Sequence, residues 1–571
     1  MRDEDGGERP GEAAPVGGAG SSCSDPSPPV VITIDVGSSS SKCCAFNLPL
    51  SATAATTTTT LIICKSKKLS NIDCTPLQIA SAVNDLVDEV LRSLRGQSNA
   101  NVVAVGFTSF VMNLIPLDSS GGFVPPMMHY AVNNEAVRAE VDQCNAVLRR
   151  LVAERKGGVP AWRDTHSSYL PGQLRAAFPL AGGQEEEAAK RFDKVERFTT
   201  IASYIISSWC GGAPVPCSYS EASWTGCFDV NGKCWDEPYV EALLQGCRGK
   251  LPEVKDFDFE GTPRIESMGG RNAFYERWPE LRGERCKIFL GIGDGAAANI
   301  GSWCRSGERI AVTVGTSAAV RVVVDDEEGE FEVPSGLWCY RVDGRRKLLG
   351  GALTDGGNIV AWTREFLNLQ TEEAFRKEMG KARELAEGRG EGTRGGGDSS
   401  NARLMVVPFY SGERSTGWRG NATGVAVGLT SATSRAQFIL ANLEGVAFRL
   451  AAIVDLIKKA RGGEGVGGGD RRWVMVASGG ALESNVLWRQ IIRDACGTDM
   501  VVLEAGEATC RGAATLIFES LGHRVDDVLE SRDREPHDAN RCRLYKSFRR
   551  TQDTVIGAME GLWKGEEGAR R

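Results

Sequence analysis

Asp294 is the only ionisable side chain in the stretch FLGIGDGAAANIGSW, residues 289–303. Its neighbours are mostly glycine and alanine, and apolar residues flank them, a setting in which an unpaired carboxylate is costly to bury. A base that takes a proton from an alcohol needs a carboxylate held rigidly and shielded from bulk water. Small neighbours let a substrate come within hydrogen-bond reach. Phosphoryl transfer needs the same close access, because positioning and charge neutralisation supply most of its catalysis. Asp294 also reads as the N-cap of a helix GAAANIGSWC, and the two roles are compatible.

A second carboxylate, Asp35, ends an apolar run and precedes Gly37-Ser38-Ser39-Ser40-Ser41-Lys42. Glycine lets the backbone approach a ligand closely. The hydroxyls and N–H groups of such a turn can donate to phosphate oxygens, and Lys42 adds positive charge. An Asp at the strand end can hold Mg²⁺ through water, since Mg²⁺ keeps most of its hydration shell. An ordinary polar hairpin tip has the same sequence. Gly315-Thr316-Ser317 repeats the pattern without the Asp, as a second phosphate clamp or a plain turn. In VASGGALESNVLWRQ, Gly479 and Gly480 leave a flat backbone over which a planar base can slide, and Asn485 can hydrogen-bond that base; a simple strand-to-helix turn is the alternative.

These residues need elements to hold them. The run 30–35, a Gly/Ser tip and Cys43–Phe46 form a hairpin signature, and 308–326 repeats it, ITIDVGSSSSKCCAF against IAVTVGTSAAVRVVV. The repeat suggests two domains of related construction facing one another. Apolar spacing predicts helices over 75–96 and 433–460, the latter capped by Thr433 or Ser434, and a charged helix near 184–193. Residues 102–110 and the run WVMVASGG read as buried strands. Segments 380–402 and 462–469 read as glycine-rich surface loops.

The composition sets limits. A chain of 571 residues exceeds a single core, and a formal net charge of −7 without a basic stripe leaves no footprint for nucleic acid. No apolar run is long enough to cross a membrane. The first 29 residues lack a signal or transit pattern and read as a disordered leader. The 17 cysteines are scattered with no C-x-x-C pair, as reduced thiols of a cytoplasmic protein would be.

Five motifs, DVGSSSSK, GIGDGAAANIG, AVTVGTSAAVR, PFYSGERSTGWRGNATGVAVGLT and ASGGALESNVLWRQI, stand in the order found in FGGY carbohydrate kinases, which the chain resembles over about 30–522. HSSYLPGQL, EASWTGCFD, GGALTDGGNIVAW and LANLEGVAF are smaller echoes. The resemblance implies an α/β, two-domain fold similar to actin, hexokinase and Hsp70 (ribonuclease H-like), with an ATP cleft between domains. The expected divisions are 1–29 leader, 30–305 sugar-binding domain, 306–522 nucleotide-binding domain and 523–571 charged, peripheral tail.

By the same resemblance, Asp294 aligns with the general base and Asp35 with the Mg²⁺-associated acid. Gly37, Ser38, Ser39, Ser40 and Lys42 align with one phosphate hairpin and Gly315 and Thr316 with the other; Gly479, Gly480 and Asn485 lie in the adenosine motif. The motifs look most like the gluconate kinase branch. There are departures. Met112-Asn113 stands where many relatives have a His, Asn133 and Glu135 replace Asp and Arg of a W-A-D-x-R element, Gln173 replaces a Lys, and Ser38 replaces a Thr. Met112, Asn113 and Asn133 remain the positions expected to face the acceptor. The implied activity is ATP- and Mg²⁺-dependent phosphorylation of a small sugar acid, ketose or polyol, gluconate first and then xylulose- or glycerol-like acceptors, by a monomer or homodimer. A kinase-fold protein that binds nucleotide and sugar without useful turnover is the alternative. A filament-forming or chaperone-like ATPase shares only the fold.

Overall fold

A computed structural model describes residues 28–48, 58–96, 101–154, 165–178, 186–305, 307–328, 331–388, 403–462, 472–503, 506–529 and 533–563. The expected leader up to residue 27 and most of both glycine-rich segments lie outside the described residues.

Two sheets carry the fold. Strands β1 (Pro29–Val36), β2 (Ser40–Asn47), β3 (Thr60–Lys68), β4 (Asn101–Ser109) and β5 (Lys287–Gly293) form the first, in the order β5-β4-β1-β2-β3. Strands β6 (Arg309–Val314), β7 (Ala318–Asp325), β8 (Trp338–Arg341), β9 (Arg346–Leu353), β10 (Val474–Ser478) and β11 (Asp499–Val502) form the second, in the order β8-β9-β7-β6-β10-β11. The expected repeat holds at the level of topology. In each sheet the leading strand pairs antiparallel with its hairpin partner and parallel with the next strand, β1 with β2 and β4, β6 with β7 and β10.

Alternation along the strands separates two cores. Ile310, Val312 and Val314 of β6 and Val320 and Val322 of β7 face one way, into a core with the long helix Arg435–Ala460, whereas Ala311 and Val323 join the core that runs to the first sheet. Helix α1 (Pro76–Arg95) starts with a Thr75–Gln78 capping box. Helix α2 (Ile201–Trp209) packs against β4 and β5. Helix α3 (Asp294–Gly301) follows β5 directly, and helix α4 (Arg435–Ala460) is capped by Ser434 with Gln437 and buries Leu440, Leu443, Leu450 and Ile457.

The chain's last third links the two sheets. Helix α5 (Val486–Cys496) stays with the second sheet, but helix α6 (Ala508–Ser520) returns to the first, packing on α3, β1 and β4. The expected 306–522 division thus includes a helix that packs on the first sheet. The expected tail is not peripheral. Helix α7 (Ala539–Trp563) packs on α4 and α5, burying Tyr545, Gln552, Ile556 and Trp563. Arg449 of α4 donates to Gln552 Oε1 at 2.8 Å, and Gln552 Nε2 donates to the Val406 carbonyl at 2.8 Å. The charged residues occupy the remaining face, which made the segment look unattached in the sequence.

The α3–α6 contact is backbone against backbone. A Cβ on Gly301 would overlap the Ala508 carbonyl, and one on Gly512 would overlap the Ala297 carbonyl. Only glycine permits that approach, so the helices cannot separate slightly to admit a methyl without moving Asp294. Gly512→Ala should therefore lower unfolding stability by about 3 kcal/mol, the upper end of ordinary overpacking costs. Gly557→Ala on α7, where the added Cβ meets nothing within 4 Å, should be neutral or stabilising. Chemical denaturation of both variants checks the pair; equal stabilities would contradict the contact.

Candidate active site

Strand β5 delivers Asp294 to the first position of α3, after Gly293. It is not the cap. Its Oδ1 accepts from the adjacent Gly295 N–H at 2.6 Å. Burial raises its pKa to about 6, against the lowering effects of Gly295 N–H and the Arg321 guanidinium. The carboxylate is thus a base poised to change charge near neutrality.

The glycines around it serve a different neighbour than the sequence suggested. A Cβ at Gly293 would stand 2.6 Å from Trp224 Nε1, and one at Gly295 would stand 3.3 Å from the same indole. At Gly291 the obstruction is the Glu221 carboxyl, at 2.6 Å. These positions make room first for Trp224 and Glu221, not directly for substrate. Glu221 accepts from Ser109 Oγ at 2.8 Å and Thr200 Oγ1 at 3.0 Å, a buried brace for the end of β5. Trp224 stacks on Tyr340 with centroids 3.8 Å apart, and Tyr340 shares a 2.5 Å hydroxyl hydrogen bond with Tyr169.

Asp35 ends β1 and accepts from Thr108 Oγ1 at 2.8 Å. Desolvation raises its pKa to about 7; the Thr108 hydrogen bond lowers it, Asp294 raises it and Lys42 lowers it. A buried carboxylate with one protein donor and a second carboxylate nearby is short of positive charge, so the donor set fits a hard, oxygen-seeking cation held through water. Lys42 does not supply that charge directly. Its Nζ is 2.8 Å from Glu507 Oε2, so the expected phosphate-facing lysine is held in an ion pair at the start of α6.

The turn itself is stiff. Gly37 N–H donates to the Ser40 carbonyl at 3.0 Å, and Asn71 Nδ2 donates to the Gly37 carbonyl at 2.6 Å and Ser41 Oγ at 2.9 Å. Ser39 is exposed, and Ser38 and Ser40 are partly so. The second turn is braced by Asp355-Gly356-Gly357. Gly357 N–H donates to the Gly315 carbonyl at 2.7 Å and Gly356 N–H to the Thr316 carbonyl at 3.1 Å. Gly479, with φ 99°, lies where a Cβ would meet the Val314 carbonyl at 2.5 Å, whereas Gly480 faces open space. Gly315, Gly357 and Gly479 therefore form one continuous backbone surface. Asn485 stands beside it, its Oδ1 accepting from Trp488 N–H at 3.0 Å as the cap of α5.

Sequence reasoning placed the acceptor contacts less well. Asn113 is committed to the framework. Its Oδ1 accepts from Ile201 N–H at 2.7 Å, and its Nδ2 donates to the Phe110 carbonyl at 2.5 Å and to Ser109 Oγ at 3.2 Å. Gln173 likewise donates to the His129 and Ser167 carbonyls, at 2.9 and 3.0 Å. Met112 is buried with φ 62°, and Asn133 is exposed just before the helix Glu135–Glu154. None of these joins Asp294 through a hydrogen bond among the described residues.

What does gather at Asp294 is cationic and aromatic. Arg321 projects from β7 on the side of Val323, toward the first sheet; burial lowers its pKa, partly offset by Asp294, and Arg414 lowers it further. Arg414 is free of its neighbour Glu413, which pairs with Arg419. Three buried donors in this region, Trp224 Nε1, Arg321 Nε and Arg414 Nε, have no hydrogen-bond partner. Together they leave this region with buried donors free to bond an added group. His166 is held neutral beside them, its pKa lowered to about 4 by burial and then by Arg414. The signal for Arg321 was present in the sequence, as a lone charge in the apolar strand AAVRVVV; Trp224 and Arg414 lay in segments whose spacing gave no orientation.

Comparison with known proteins agrees with this geometry. The FGGY family of carbohydrate kinases, C-terminal domain, matches residues 310–519. The chain is 24% identical over 492 residues to the gluconokinase of Bacillus subtilis (strain 168), covering 84% of this chain and 86% of the relative. It is 24% identical over 443 residues to a glycerol kinase of Paraburkholderia phytofirmans, 76% and 79% of the two chains. The crystal structure of gluconate kinase from Lactobacillus acidophilus superposes with a TM-score of 0.72 at 20% identity, covering 94% of this chain and 99% of that one. The paired hairpins, the Asp294 carboxylate and these likenesses agree: residues 310–519 carry the C-terminal domain of the FGGY family of carbohydrate kinases, in a phosphotransferase that acts on a sugar hydroxyl.

Proposed function

We propose that the protein transfers the γ-phosphoryl group of ATP to a primary hydroxyl of a small sugar acid, with gluconate the first candidate and xylulose- or glycerol-like acceptors next. The observation that carries the reading is Asp294, a partly buried base at the start of α3 in the region of three unpartnered buried donors. Asp294 takes the hydroxyl proton as the oxygen attacks. The Gly37–Ser40 and Gly315–Thr316 turns hold the phosphates through N–H and hydroxyl donors, and Gly479-Gly480 leaves a flat surface for the base. Asp35 is the residue that would hold Mg²⁺ through water; when bound, the ion neutralises charge on the phosphates.

The acceptor's charge is suggested by the arginines. Two guanidiniums with unsatisfied Nε–H groups in one buried region favour an anion over a neutral polyol, because guanidinium and carboxylate match in charge and shape. That supports a sugar acid over a ketose. The non-catalytic reading rested on Asn113, Asn133, Glu135 and Gln173. Asn113 and Gln173 are framework residues and Asn133 and Glu135 are exposed, so these positions do not argue against turnover.

Asp294→Asn should lower kcat by about 10²–10⁴, the usual range for removing a general base, while KM for ATP changes little. Steady-state kinetics on any responsive acceptor checks this, and retention of wild-type turnover would remove Asp294 from its role. Arg414→Gln should raise KM for gluconate about tenfold or more and leave KM for ATP unaltered, as expected for losing one charge-assisted contact. If a neutral acceptor is the best substrate in a screen and the variant handles it normally, the anionic reading fails.

A further inference from the structure

Three thiols meet behind the first phosphate turn. Cys44 of β2 and Cys64 of β3 are directly opposite in the antiparallel register, with sulfurs 3.0 Å apart. Cys510 of α6 lies within hydrogen-bonding reach of Cys44 as well. Cys43, one residue along, pairs across β1 with Ile34 and points to the opposite face. The Glu507 carboxylate stands within 4.8 Å of both Cys44 and Cys64 sulfurs while paired to Lys42. Nothing in the phosphotransfer chemistry uses these sulfurs.

The geometry favours bond formation over metal binding. Two thiolates sharing a tetrahedral zinc ion at about 2.3 Å would stand roughly 3.8 Å apart, farther than the 3.0 Å found here. Directly opposite residues of an antiparallel pair have Cα separations of about 4.5–5.5 Å, inside the range a disulfide spans. Glu507, the remaining ligand of a metal set, is already neutralised by Lys42. The two thiols are also unequal. Cys44 is fully buried and donates its S–H to Cys64, while Cys64 is partly exposed on β3, the edge strand of the sheet. The Cys44 hydrogen bond lowers the Cys64 pKa, which favours its thiolate, the nucleophilic form.

We propose that Cys44 and Cys64 form a reversible thiol-oxidation site, converted to a cross-strand disulfide by exchange with a low-molecular-weight disulfide. The Cys64 thiolate attacks one sulfur of the reagent, breaking its S–S bond and releasing one thiol. Cys44 then gives up its proton and attacks the Cys64 sulfur of the mixed disulfide, releasing the second thiol. Two protein S–H bonds become one S–S bond, and one reagent disulfide becomes two thiols. The link fastens the edge strand to β2 two residues from Lys42, on the same face of the strand.

The test treats the reduced, folded protein with oxidised glutathione, quenches it with an alkylating agent and maps its peptides. The expected result is loss of two hydrogens, a Cys44–Cys64 linked peptide located by fragmentation between Cys43 and Cys44, and reversal by dithiothreitol. The Cys64→Ser variant should not form the link, whereas Cys510→Ser should. A stable glutathione adduct on Cys64, a link through Cys43 or Cys510, or thiols left fully alkylatable would overturn the proposal. So would retention of one Zn²⁺ per chain after dialysis with these thiols protected.

Discussion

The contact between Gly301 and Gly512 fixes more of this molecule than any other single feature. It lets α6, which follows the second sheet in sequence, lie directly on α3 of the first. Helix α3 begins at Asp294, so the position of the base depends on how deeply α6 can sit. The same helix begins beside Glu507, which holds Lys42 behind the first turn. A late segment of the chain thus sets two groups of the first half, and neither could be assembled from residues 30–305 alone.

Around that frame stand several charges that the protein itself satisfies only in part. Asp35 and Asp294 are both raised by burial, to about 7 and about 6, and the Asp294 charge adds to the rise at Asp35. Arg321 is desolvated opposite them with an Nε–H that finds no acceptor. Trp224 and Tyr340 form an apolar wall on one side, and the glycine surface around Gly315 and Gly479 leaves the other side as bare backbone. A carboxylate with unpartnered donors near it and two glycine-bearing turns in the same molecule is the arrangement the proposed phosphoryl transfer needs.

Local chemistry in the sequence was enough for the hairpins, the long capped helix at Ser434 and the Asp294 stretch. Those depend on neighbours within a few residues. The duplicated strand order followed from the two β-rich starts. What could not be read were relations between distant segments. The packing of α6 across the sheets rests on two glycines 211 positions apart, and that of α7 on a buried Gln552 whose partners lie about a hundred residues upstream. Asn113 looked like a ligand contact because its position relative to a strand was right; only the fold reveals that its amide is occupied by Ile201 and Phe110. The glycines near Asp294 were read as clearance for substrate, but the space beside them is taken by Trp224.

The most direct measurement is the pH dependence of a single phosphoryl transfer, followed by rapid quench with the acceptor saturating, in wild type and in Asp294→Asn. A base with its pKa raised to about 6 is protonated and idle below that value and active above it. The account predicts a wild-type rate that rises through about pH 6 and levels off, and a variant that is slow with that rise absent. A variant that keeps the same rise, at any rate, would place the titrating base elsewhere and contradict the account.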